Sequence, residues 1–70
     1  MRWCKRERNG DCLAALKALM GMPRVRVELE HGLLFIDEVM GVETDNGAQY
    51  AVFSQHPRVA ISDISLVEME

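Results

Sequence analysis

The side chains with chemistry to offer are six acids in the middle of the chain, Glu28, Glu30, Asp37, Glu38, Glu43 and Asp45, and two histidines, His31 and His56. An enzyme needs a nucleophile or a metal converging with an oriented base. Asp37 and Glu38 are adjacent, and neighbours on a strand point to opposite faces, so they do not share one site and read as residues of a bend. His31 and His56 precede Gly32 and Pro57, in predicted turns where a solvated imidazole is the expected role. Cys4, Cys12, His31 and His56 could ligate zinc, but gaps of seven, eighteen and twenty-four residues separate them, whereas structural zinc sites bring ligands in close pairs. The sequence therefore predicts neither catalysis, nor a metal, nor a cofactor. Cys12 reads as a small buried apolar residue.

Charge is the more informative signal. Near the start, Arg2, Lys5, Arg6 and Arg8 stand against Glu7, while from residue 37 onward seven acids stand against Arg58 alone. An acidic body binds nucleic acid poorly, because that mode needs several Lys or Arg on phosphates. It suits a protein partner with a basic surface, for which the six acids named above are the candidate contacts. Tyr50 and Phe53 could stack RNA bases, but such platforms sit in positive grooves, and Phe53 reads as core. The alternative reading is an RNA-binding or oligomer-forming protein whose basic surface is Arg2, Lys5, Arg6, Arg8, Arg24 and Arg26. A third is an interaction protein accessory to a mobile element.

These residues must be positioned by short elements. Asp11 caps a helix running from Cys12 to Met20, with Cys12, Leu13, Leu16, Leu19 and Met20 at helical spacing and Gly21 and Pro23 as its stop. At Arg24 the period becomes two, with Val25, Val27 and Leu29 on one face and Arg24, Arg26, Glu28 and Glu30 on the other. A turn at Gly32 leads into a long strand, Leu33 to Glu43, which Asp37-Glu38 and Gly41 bend or bulge. Thr44-Asp45-Asn46-Gly47 is a type I′ hairpin signal. Strands follow over Ala48 to Gln55, at Val59 and Ile61, and over Leu66 to Met69, with a one-turn corner at Ser62-Asp63-Ile64. Residues 1 to 8 read as a loose tail.

Seventy residues, 49% hydrophobic and 27% charged with net charge -3, describe one small globular domain. Two cysteines, no apolar run long enough to span a bilayer and no convincing signal peptide point to a soluble cytoplasmic protein. The fold expected is α+β, mainly β: a short N-terminal helix, then a five-stranded, strongly bent antiparallel sheet curled into a small SH3-like barrel.

That order resembles the Sm-like fold over residues 11 to 69. Val27-Glu28-Leu29-Glu30-His31-Gly32 is similar to the first strand and turn of such proteins, and Ala60-Ile61-Ser62-Asp63-Ile64-Ser65-Leu66-Val67 to their corner and final strand. Within that group, Leu29-Glu30-His31-Gly32 and Asp63-Ile64 resemble the Rof family of modulators of Rho-dependent transcription termination. The chain departs from that family in Trp3-Cys4-Lys5-Arg6-Glu7-Arg8, which is basic where the family is acidic. It also lacks, at Ser62-Asp63, the basic signature of the RNA-chaperone branch. The resemblance implies an inhibitor that occupies the nucleic-acid-binding surface of Rho.

Overall fold

A computed structural model describes residues 2–5 and 12–70. Asp11, the expected helix cap, and Arg6 and Arg8 lie outside the described residues. Seven strands and one helix follow in the order β1 (Arg2–Cys4), α1 (Cys12–Ala18), β2 (Val25–Leu29), β3 (Leu34–Asp37), β4 (Val39–Asp45), β5 (Ala48–Phe53), β6 (Val59–Ala60), a 3-10 turn (Ile61–Asp63) and β7 (Ile64–Met69). They make two antiparallel sheets, ordered β1-β7-β2-β3 and β4-β5-β6.

The local signals explain most of these boundaries. In α1 the residues Cys12, Ala15 and Leu16 turn inward and Lys17 outward, and the chain leaves the helix through Gly21 at φ 88°. Too short to persist alone, α1 depends on its packing against β4, β1 and β7. In β2 the alternation is complete: Val25, Val27 and Leu29 are buried, Arg26 and Glu28 half-buried on the opposite face. Asn46 and Gly47 take φ 51° and 81°, the two positive values that the β4–β5 turn requires. The inner faces of both sheets and α1 close one core, with Leu16, Val25, Val27, Val39, Ile64 and Val67 fully enclosed.

The expected architecture is corrected in three respects. The helix is not the first element: the segment read as a loose tail contains β1, whose Arg2, Trp3 and Cys4 pair with Glu68, Val67 and Leu66 of β7. Trp3 then sits 8% exposed in the core, and burying that indole repays the ordering of a segment whose charges suggested solvent. Among the described residues the strands number seven rather than five, because the long strand expected over Leu33 to Glu43 breaks at Glu38 into β3 and β4 and β1 is added ahead of the helix. And the strands form two sheets with separate edges instead of a closed barrel. The acids at 37 and 38 do mark the bend, and the register shifts between Val39 and Gly41 just beyond it.

Candidate functional site

At the end of β2 the chain builds an acidic corner. Leu29 N–H donates to Leu33 O at 2.8 Å and Gly32 N–H to Leu29 O at 2.9 Å, a tight turn that needs Gly32 at φ 97°. The corner is tied to the 3-10 turn by Glu30 N–H donating to Asp63 O at 2.8 Å, by the pairing of Leu29 with Ile64, and by Ser65 Oγ donating to Glu28 O at 3.1 Å. Leu29-Glu30-His31-Gly32 and Asp63-Ile64, distant in sequence, therefore sit side by side. A shallow hollow of about 230 Å³ opens there, lined by Glu28, Leu29, Glu30, Gly32 and Ser65. Lys5 reaches the same corner, donating to Ser62 O at 2.9 Å and standing 3.6 Å from Glu30.

The other four candidate acids lie elsewhere and do different work. Asp37 is 6% exposed and offers no surface charge. Its carboxylate accepts from Glu38 N–H at 2.7 Å, Gln55 N–H at 2.8 Å and His56 Nδ1 at 2.6 Å. Burial pushes its pKa up, but the bond from His56 and the two backbone N–H groups outweigh that and hold it below the ordinary 3.8. Glu38 is half-buried at the break between the sheets, its carbonyl taking Ser54 N–H at 3.1 Å. Glu43 and Asp45, on the exposed hairpin, share Arg58, which reaches Asp45 at 3.0 Å and lies 4.0 Å over the Tyr50 ring. The six acids thus divide into a corner, a brace and a clamp.

The described members of the alternative basic surface are engaged by acids. Arg2 meets Glu68 at 3.2 Å, Arg24 meets Glu70 at 2.6 Å, Arg26 lies 4.0 Å from Glu68 and 3.8 Å from Glu70, and Lys5 belongs to the acidic corner. Across the sheet the register runs Arg2, Glu68, Arg26, so the ladder alternates in sign. Among the described residues no three His, Cys, Asp or Glu side chains gather into a cation site, and no helix is long and apolar enough to cross a membrane.

No family model, curated protein or solved structure matches the chain. Its chemistry must be read from its own geometry.

Two features went unseen in the sequence. His56 is exposed in a bend, as expected, but it is also engaged: its ring stacks on Phe35 with centroids 4.3 Å apart while Nδ1 bonds Asp37. Arg58 is a clamp on Tyr50, Glu43 and Asp45 and not an isolated cation. Neither the Asp37–His56 pair nor the bonds of Arg58 to Glu43 and Asp45 have a local signal, since each joins residues thirteen or more apart. Phe53, expected in the core, is buried there and meets Phe35 edge-on at 5.0 Å.

Proposed function

We propose that the chain is a small non-enzymatic binding protein that docks its acidic corner on a basic, nucleic-acid-binding surface of a protein partner. The observation that carries this reading is that Glu28 and Glu30 line one hollow, with Lys5 beside Glu30 and the Asp63 carbonyl tying the corner to the 3-10 turn. Such a cluster steers a basic surface and competes for the positions that phosphates would take. Both short motifs behind the Rof resemblance lie at this corner, which makes Rho the first partner to test and an effect on Rho-dependent termination the first activity.

The test is binding of the full chain to purified Rho, alongside affinity capture from cell extract with and without nuclease. Association is expected to weaken as salt rises, to survive nuclease, and to fall at least tenfold in the double variant Glu28→Lys, Glu30→Lys. Neutralising Arg24 and Arg26 should leave it intact. Unchanged binding after the charge reversal would remove the acidic corner as the contact, and retention only through RNA would favour the arginine surface instead.

A further inference from the structure

We propose that residues 54–57 form a strap that opens and closes over the outer edge of β3, with Asp37 as its latch. β2 occupies one edge of β3. Leu29 N–H bonds Leu33 O, and antiparallel partners alternate between bonded and non-bonded pairs, so Leu33, Phe35 and Asp37 turn their backbone groups to β2. Leu34 and Ile36 turn theirs to the opposite edge.

That edge is where β5 arrives. β5 pairs with β4 as far as Val39 opposite Phe53, and one more rung follows, Ser54 N–H to Glu38 O at 3.1 Å. There the ladder changes character. Gln55 N–H goes to Asp37 Oδ2 rather than to a backbone carbonyl, His56 Nδ1 goes to the same oxygen, the His56 ring lies on Phe35, and Pro57 has no N–H to give. The segment thus continues antiparallel to β3, residue 54 by 38, 55 by 37 and 56 by 35. Beyond the Ser54 rung it is fastened by one carboxylate oxygen and a ring face, and it gives no backbone bond to Leu34 or Ile36.

A β-ladder opens only by losing several bonds together, whereas this fastening fails when one side chain lets go. Opening breaks the two bonds to Asp37 Oδ2 and lifts the His56 ring from Phe35 while both sheets and the core stay formed. Local openings of this kind belong at the low-stability end of a native structure.

Native-state hydrogen exchange, followed amide by amide by NMR on the full chain, tests the strap. The Gln55 amide, though hydrogen-bonded, is expected to exchange well ahead of the Val27 amide in the β2–β3 ladder and through an opening insensitive to low denaturant. His56→Ala, at a half-exposed ring whose removal leaves the core intact, should speed Gln55 exchange about tenfold relative to Val27. Asp37→Asn should do so at least as strongly. Gln55 exchanging in step with Val27, or at the wild-type rate in the folded His56→Ala protein, would overturn the proposal.

Discussion

Asp37 carries a charge while 6% exposed, and three donors make that tolerable. Leaving such a group without donors costs several kcal/mol, so the carboxylate is bound to the folded arrangement of Glu38, Gln55 and His56. Burial raises its pKa, and the bonds from His56, Gln55 and Glu38 together outweigh that, for a net fall below 3.8. A carboxyl whose folded pKa is depressed contributes stability that is complete above its unfolded pKa and is lost as pH falls through the folded value. Wild-type stability should therefore decline on acidification below about pH 4. Asp37→Asn should cost about 1–3 kcal/mol at pH 7, because the amide returns an N–H to donors that need an acceptor. Urea denaturation at pH 7 and pH 3 checks this: the gap between variant and wild type should narrow at the lower pH, and an equal gap at both would show that Asp37 does not act through its charge.

Elements were legible where their cause is local. The period-two run of β2, the bend at Asp37-Glu38, the Asn46-Gly47 turn and the one-turn corner, expected over Ser62 to Ile64 and found over Ile61–Asp63, each follow from residues within a few positions. β1 was not legible, because three residues in a charged segment become a strand only when β7, at the other end of the chain, supplies the edge. The same holds for the division into two sheets and for the way the acids separate into corner, brace and clamp, which depends on where Arg58 and His56 come to rest. Backbone geometry at the turn gives a sharp expectation. Gly47 sits at φ 81° and an added Cβ would meet nothing within 4 Å, so the cost of Gly47→Ala is conformational, about 1–2 kcal/mol. Gly41 is equally open but its φ is not positive, so Gly41→Ala should be neutral or stabilise by up to about 1 kcal/mol. Thermal melts of the two variants separate steric from conformational causes; similar losses in both would show that the turn conformation is not what Gly47 supplies.

Over the whole molecule, two devices hold β1 in place, and their magnitudes decide between them. On the outer face, Arg2, Glu68 and Arg26 alternate across β1, β7 and β2, with side chains 44%, 33% and 43% exposed. Exposed pairs of this kind contribute about 0–1 kcal/mol each and are screened by salt. On the inner face Trp3 enters the core beside residues of α1 and β7, and truncating a buried aromatic side chain costs about 3–5 kcal/mol. At about 0.05–0.15 kcal/mol per residue, a chain of this length has only ~4–10 kcal/mol in total, so Trp3 alone accounts for a large share. The acidic corner depends on this, because Lys5 reaches Ser62 and Glu30 from the residue that follows β1. Trp3→Ala should therefore unfold the protein near physiological temperature or lower its urea midpoint severely. Glu68→Gln should cost less than about 1 kcal/mol, and that difference should shrink in high salt. If Glu68→Gln proved as damaging as Trp3→Ala, the ionic ladder and not the core would be what fastens the chain start to β7, and the acidic corner would then be expected to loosen as salt rises.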